Sequence, residues 1–484
     1  MAGGDEDYTR YCPGEEHIRI SDAVCLGRRR ANFTKCPGWP VNDDDQGRPT
    51  LAAQVVGLRH KRTVAPARGI ESFVMIEKVF KAYDVRATVP DPLNEEVAWR
   101  IGNATAQFLR TALTGYDRSD DTMSKLVIGR DMRRSSPSLS QAFIAGALAT
   151  GTQIVDIGMI DTSQLYFATN HLRCCGGVQT TASHNPANYN GFKICGVKGK
   201  PIGSETGLKE IQRIAAAVSP HPAPDTLPVQ SLDLTEPYRS YLHKFLAPVR
   251  PLKAVIDASN GMAGRWFPRL FGDVPNLTVT ALNFEHDGDF VHPPNPLVPA
   301  NLAQLREAVR ATGADFGACF DGDADRCMFV DEHGAIVPCD ILTALLAIEY
   351  LRERPGATVV YDLRSSRIVP EVIRQHGGKP KRERVGHVFM KRAMAENQAV
   401  FGGELSGHFY FRDFFYCDSG MLTFIAVLNV LTRTGQPLSA LTAPLSVYAN
   451  SGERNYENDD KPGTLSALAG KYADGQIDQL DGIT

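Results

Sequence analysis

No apolar run in this 484-residue chain approaches the ~18 residues needed to cross a bilayer as a helix, so no membrane span is expected. An excess of one charge is missing too. The 52 Lys and Arg face 55 Asp and Glu, for a net charge of −3. That balance gives no global reason to bind nucleic acid or an anionic membrane, and leaves room for a local basic pocket for a small anion. The first residues, MAGGDEDYTR, are acidic and polar and do not read as a secretory signal, so a cytoplasmic protein is expected. Ten cysteines are too few for a disulfide framework in a chain this long. Cys174, Cys195, Cys319, Cys327 and Cys339 lie in apolar or motif-flanking stretches and read as small buried hydrophobes. The first 75 residues hold no C-x2-C pair, so Cys12, Cys25, Cys36 and His17 are poorly spaced for zinc. That stretch reads as a partly disordered extension.

Length and an ordinary soluble composition, 43% hydrophobic, leave room for three or four domains. From about residue 76, short Val/Ile-rich runs alternate with longer amphipathic ones. Lys125 to Ile128 reads as a strand, and Gly129-Arg130-Asp131 as a polar loop. Ser135 or Ser136 then opens a helix with Pro137 in its first turn, and Gly151 closes it. The rhythm returns at Ala254–Ile256 and Thr358–Tyr361. Such alternation predicts α/β units with largely parallel sheets, whose chemistry sits in loops beyond the strand carboxyl ends. The proline-rich segment Ser219–Pro228 is a linker, and further boundaries fall near Pro338–Asp340 and Leu445–Gly452. The expected domains are 76–218, 235–338, 339–446 and 447–484.

Three motifs carry chemistry. In Asp321-Gly322-Asp323-Ala324-Asp325-Arg326, three carboxylates alternate with small residues between apolar runs, which lets them converge on one hard cation such as Mg²⁺. Arg326 is placed to clamp a phosphate beside it. A solvated hairpin turn is the plain alternative. An EF-hand loop ending at Glu332 is another, but arginine stands where that loop needs glycine. In Thr181-Ala182-Ser183-His184-Asn185-Pro186, Ser183 is either an exposed nucleophile or part of a structural turn. Lys193 follows as a cationic neighbour with a possible proton-transfer role. In Gly402-Gly403-Glu404-Leu405-Ser406-Gly407-His408, the alternating Glu404, Ser406 and His408 suit sugar hydroxyls, although a polar βα loop has the same composition. Tyr83-Asp84-Val85-Arg86 and Gly129-Arg130-Asp131-Met132-Arg133 each place arginine near an expected loop, which fits phosphate binding or a surface ion pair.

In this order, the motifs resemble the α-D-phosphohexomutase family, and within it the phosphomannomutase/phosphoglucomutase group, from about Phe80 to the end. The resemblance implies three similar mixed α/β domains and a fourth α+β domain around a central cleft. It implies that Ser183 carries phosphate, and that Ser183, Asp321, Asp323 and Asp325 hold one Mg²⁺ per chain. Arg86, His184 and Lys193 surround the phosphoserine, with Lys193 the candidate proton shuttle. Tyr83, Arg326, Arg364, Gly386, His387, Glu404, Ser406 and His408 would bind the substrate, with Lys391 downstream. The implied reaction interconverts hexose 6-phosphate and hexose 1-phosphate through a hexose 1,6-bisphosphate, which also serves as activator. The implied partners are therefore small sugar phosphates, with no nucleic acid and no membrane; oligomeric state is not legible. Leu405, where phosphoglucosamine mutases usually carry glutamine, favours mannose or glucose phosphates.

Two departures stand out. Ala87 replaces the glycine that usually follows the Y-D-x-R arginine, a strain only if that position needs φ > 0. No R-x-S-x-T segment follows Lys461–Tyr472, so the fourth domain is expected to be partial and to lack the loop that holds the second phosphate. The alternative this raises is a weak or inactive sugar-phosphate-binding remnant.

Overall fold

The computed structural model describes residues 9–12, 15–21, 75–112, 121–221, 229–449, 452, 456–475 and 477–482. The chain divides into two units, Met1–Ala65 and Pro66–Thr484. In the first, β1 (Thr9–Cys12) and β2 (Glu15–Ser21) form an antiparallel hairpin. Of the residues considered above for zinc, Cys25 and Cys36 lie outside the described residues.

The second unit contains three sheets built on one plan. The first comprises β3 (Val85–Thr88), β4 (Lys125–Arg130), β5 (Gln153–Met159), β6 (Gly176–Thr180), β7 (Tyr189–Gly196) and β8 (Val229–Ser231), in the order β3-β7-β6-β4-β5-β8. The second comprises β9 (Leu252–Asp257), β10 (Leu277–Leu282), β11 (Phe316–Phe320), β12 (Cys327–Asp331) and β13 (Ile336–Val337), ordered β10-β9-β11-β12-β13. The third comprises β14 (Thr358–Asp362), β15 (Lys379–Glu383), β16 (Phe401–Gly403), β17 (Phe409–Phe411) and β18 (Cys417–Asp418), ordered β15-β14-β16-β17-β18. In the second and third, three parallel strands meet an antiparallel pair, and the first has the same arrangement with a fourth parallel strand, β8, at its edge. The connection from the parallel to the antiparallel part is therefore the same loop each time: β6–β7, β11–β12 and β16–β17. The three motifs singled out in the sequence occupy these three loops.

The strand cores are fully buried where the sequence is apolar, as along Phe316–Phe320, which fits sheets covered on both faces. Helices supply the cover. In the first sheet these are α1 (Glu95–Thr111), α2 (Ser136–Leu148), α3 (Thr162–His171) and α4 (Lys209–Ala217). Their starts follow elementary capping rules. The Asn94 side chain accepts from the Val97 N–H with Glu95 and Glu96 in the first turn, and Asp161 accepts from the Gln164 N–H. Pro137 opens α2 as expected, but Ser135 makes no side-chain cap. Gly129 and Arg130 continue β4 rather than forming a loop, so the polar loop begins at Asp131. Ala87 lies within β3 and is absent from the residues with positive φ, so the alanine there adds no backbone strain. The five cysteines read as hydrophobes are buried.

After Leu445 the described residues contain one helix, Lys461–Lys471, with no buried side chain, and no strand. Among the described residues no helix is long and apolar enough to cross a membrane.

Candidate active site

Ser183 sits in the β6–β7 loop, 4% exposed and held at φ +49°, a left-handed conformation that serine rarely adopts. Its N–H donates to Thr181 Oγ1 and its Oγ donates to Asp321 Oδ2 at 3.0 Å. The β11–β12 loop must come very close for that contact. A Cβ on Gly322 would lie 2.3 Å from the Ser183 carbonyl oxygen, so only glycine fits there. His184 Nδ1 is 3.4 Å from Ser183 Oγ, and Arg326 Nη2 is 3.5 Å from it. Burial, then Arg326 and Arg86, push the His184 imidazole down to about 2, so it is neutral at ordinary pH.

The β11–β12 loop brings Asp321, Asp323 and Asp325 together, each buried, with one carboxylate oxygen apiece within 4.8 Å of the others. Arg326 donates from Nε to Asp321 Oδ2 at 2.8 Å. Lys193 donates to Asp323 Oδ2 at 2.6 Å and also to Asp325. Burial opposes charge on Lys193, but Asp323, Asp325 and Asp418 outweigh it and raise its pKa, keeping the ammonium protonated. Thr162 Oγ1 at the start of α3 donates to Asp323 Oδ2 at 2.6 Å, and its N–H donates to the Asp323 carbonyl. Asp323 Oδ1 and Asp325 Oδ1 are buried without a hydrogen bond. Three converging carboxylates with two buried oxygens lacking hydrogen bonds fit a hard divalent cation, which takes oxygen ligands and would satisfy them.

The β16–β17 loop joins from the third sheet. His408 pairs backbone to backbone with Arg326, and its Nε2 lies 3.4 Å from Asp325 Oδ1 and 3.9 Å from Asp418 Oδ2. Ser406 Oγ and His408 Nδ1 are 2.9 Å apart. Glu404 is buried; it accepts from the Gly386 N–H at 2.9 Å and from the Tyr410 hydroxyl. Gly386, at φ +125°, leads into α5 (His387–Glu396), whose first residue meets the Tyr83 ring edge-on at 6.1 Å between centroids. Lys391, one turn on, pairs with Asp418 at 2.7 Å.

Ser183, His184, Lys193, Asp321, Asp323, Asp325, Arg326 and His408 thus form one connected cluster. Arg86 reaches it through Asn185, donating to Oδ1 at 2.7 Å, while its own Nε is buried without a hydrogen bond. Tyr83, Gly386, His387, Glu404 and Ser406 line its third-sheet side. Arg364 stands apart. It bonds Asp362 and lines a cavity of about 430 Å³ with Leu405 and Tyr448.

One expectation needs correction. Arg133, read as fitting phosphate binding or a surface ion pair, is 1% exposed and donates to backbone carbonyls of the serine loop. It faces protein on every donor described, because a buried guanidinium must satisfy its five N–H groups internally. Thr162 and Asp418, which bond or flank the cluster, were missed. A lone threonine at a helix start carries no signal, whereas Asp418 is a carboxylate shortly after the Glu404–His408 motif.

Comparison with known proteins gives the same assignment. Residues 77–221, 237–334 and 339–448 match, in that order, domains I, II and III described as phosphoglucomutase/phosphomannomutase α/β/α domains. The chain is 38% identical to phosphohexose mutases of Xanthomonas campestris pv. campestris over 84% of its length and 89% of theirs. It is 36% identical to a phosphomannomutase of Escherichia coli over the same shares. A solved phosphoglucomutase/phosphomannomutase family protein from Burkholderia thailandensis superposes with a TM-score of 0.74 at 32% identity, covering 84% of this chain and 88% of that one. Three matching domains in order, and relatives above 30% identity along nearly their whole length, place this chain in the phosphoglucomutase/phosphomannomutase family of α-D-phosphohexomutases.

Proposed function

We propose that the chain interconverts hexose 6-phosphate and hexose 1-phosphate, with Ser183 carrying the phosphoryl group between turnovers. The observation that carries this reading is the contact of Ser183 Oγ with Asp321 inside a three-carboxylate cluster that the Glu404–His408 loop also reaches.

Phosphate on Ser183 passes to the free hydroxyl of a bound sugar phosphate. The Oγ–P bond breaks as the sugar O–P bond forms, and the hydroxyl proton ends on Ser183 Oγ. His184, 3.4 Å from Oγ, is placed to pass it, and Lys193, held as an ammonium, can relay it only by giving up one of its own protons as it takes the new one. The resulting hexose 1,6-bisphosphate turns in the cleft and returns its other phosphate to Ser183. Arg86 and Arg326 offset charge on the transferring group, and Glu404, Ser406 and His387 grip the sugar hydroxyls. Asp321, Asp323 and Asp325, with phosphorylated Ser183, would hold Mg²⁺, which neutralises phosphoryl charge when bound. Leu405 presents an apolar side chain beside Glu404 and favours mannose or glucose phosphates over glucosamine phosphate.

A coupled assay with mannose 1-phosphate, glucose 1-phosphate and glucosamine 1-phosphate, Mg²⁺ and catalytic glucose 1,6-bisphosphate tests this. Turnover on the first two supports the reading. Failure on all three, with Ser183 able to take up phosphate, sinks it in favour of a sugar-phosphate-binding remnant.

A further inference from the structure

Each of the three sheets ends an inner parallel strand in a fully buried aspartate: Asp131 just after β4, Asp257 at the end of β9 and Asp362 at the end of β14. Each accepts, on Oδ1, the backbone N–H two residues on: Arg133 at 3.0 Å, Ser259 at 2.9 Å and Arg364 at 3.1 Å. Each of these turns lies against the active loop of its own sheet. Asp362 accepts from the Leu405 N–H, and Ser259 Oγ donates to the Phe320 carbonyl beside the metal loop.

In the first sheet this device is the most developed. Arg133 donates from Nε to Asp131 at 3.1 Å. Its Nη1 donates to the carbonyls of Pro186 at 2.6 Å and Tyr189 at 3.2 Å. Its Nη2 donates to those of Ser183 at 2.9 Å and Asn185 at 2.7 Å. One buried guanidinium therefore gathers four carbonyls of a single loop, including that of the residue held at φ +49°. A left-handed non-glycine residue persists only where its surroundings over-determine it. Gly322 presses on the same carbonyl from the other side.

We propose that Arg133 is the positioning residue of the nucleophile: it clamps the loop so that Ser183 stays left-handed with Oγ turned onto the Asp321 carboxylate. The proposal rests on the mutase reading above. Lysine has three donors on one nitrogen and cannot span four carbonyls, so Arg133→Lys keeps the charge and loses the clamp.

The test uses the full chain as wild type, Arg133→Lys and Arg133→Ala. It reads kcat and KM for glucose 1-phosphate, Ser183 phosphate uptake from glucose 1,6-bisphosphate by intact mass, and thermal melting. A misplaced nucleophile lowers the chemical step without loosening the substrate. Arg133→Lys is therefore expected to lose about 100-fold in kcat, with phosphate uptake slowed in proportion and KM within about threefold of wild type. Guanidinium added to folded Arg133→Ala is expected to raise kcat at least about tenfold. If the alanine variant does not fold, Arg133→Lys decides alone. Wild-type kcat in Arg133→Lys overturns the proposal, as does a KM raised more than about tenfold at unchanged kcat, which would make Arg133 a substrate ligand. A wild type that neither takes up phosphate nor turns over overturns the mutase reading and this proposal with it. A working wild type beside an unimpaired lysine variant overturns only the Arg133 proposal.

Discussion

The first and third sheets carry the same short turn at the same strand end, Asp131-Met132-Arg133 and Asp362-Leu363-Arg364, and put it to different use. Both aspartates are fully buried and both arginines bond back to them. Arg133 is enclosed and spends its remaining donors on the serine loop, whereas the Arg364 side chain is 26% exposed and borders a cavity of about 430 Å³. Where neighbouring backbone fills the space, the guanidinium becomes part of the scaffold. Where a cavity remains, it is left at the mouth of a site. The shared Asp-x-Arg sequence therefore predicts the turn and not the role of its arginine.

The comparison can be broken by substitution. The largest effect belongs to the residue the first sheet exists to position. Ser183→Ala should lower kcat by about 10⁴-fold or more and abolish phosphate uptake from glucose 1,6-bisphosphate, because it removes the atom that takes the phosphate. Thr162→Val removes the hydroxyl that orients Asp323 and should raise the Mg²⁺ concentration for half-maximal activity by about tenfold, read by metal titration. Arg364→Ala should raise KM about tenfold while altering kcat less, the opposite split from Arg133, since it loses a charged hydrogen bond worth about 1.5–3 kcal/mol to bound substrate. A kcat-dominated loss there would mean that Arg364 too is scaffold.

The smallest effect concerns the middle sheet, where His292 takes the place of an arginine and lies 3.0 Å from Asp257 Oδ2. The hydrogen bond that His292 donates to Asp257 raises the His292 pKa, with burial opposing. A raised histidine pKa stabilises the fold fully below the unfolded value of about 6.5, and the gain fades as pH rises through the folded value. His292→Gln should therefore cost about 1 kcal/mol or less, with a melting-temperature gap from wild type wider at pH 5.5 than at pH 8. An equal gap at both would show that the pair is neutral.

Much of the site was legible because its parts announce themselves locally. Asp321–Arg326 places dense polar chemistry between apolar runs that proved to be β11 and β12, and Thr181–Pro186 is a compact polar segment that proved to be the β6–β7 loop. The three loops occupy equivalent sheet positions, which the sequence also hinted at for the first and third sheets through the repeated Asp-x-Arg turn, although that repeat was not recognised. The clamp itself was illegible. The acceptors of Arg133 are backbone carbonyls more than fifty positions away for Asn185 and Pro186, and backbone oxygen has no signature in sequence. Thr162 was hidden for a related reason, being 161 positions from the carboxylate it orients. Ala87 shows the converse. Its departure from the family pattern would be a strain only if the position needed φ > 0, and it proved silent once it was seen in an extended strand.

The central claim is that Ser183 Oγ, poised on Asp321, is where phosphate resides. Incubating the full chain with glucose 1,6-bisphosphate and Mg²⁺, mapping the modified residue by mass spectrometry and chasing with glucose 6-phosphate tests it directly. The account predicts a single phosphate on Ser183 that leaves on the chase and reappears as bisphosphate. Phosphate on another residue, or on Ser183 but inert to the chase, would contradict it.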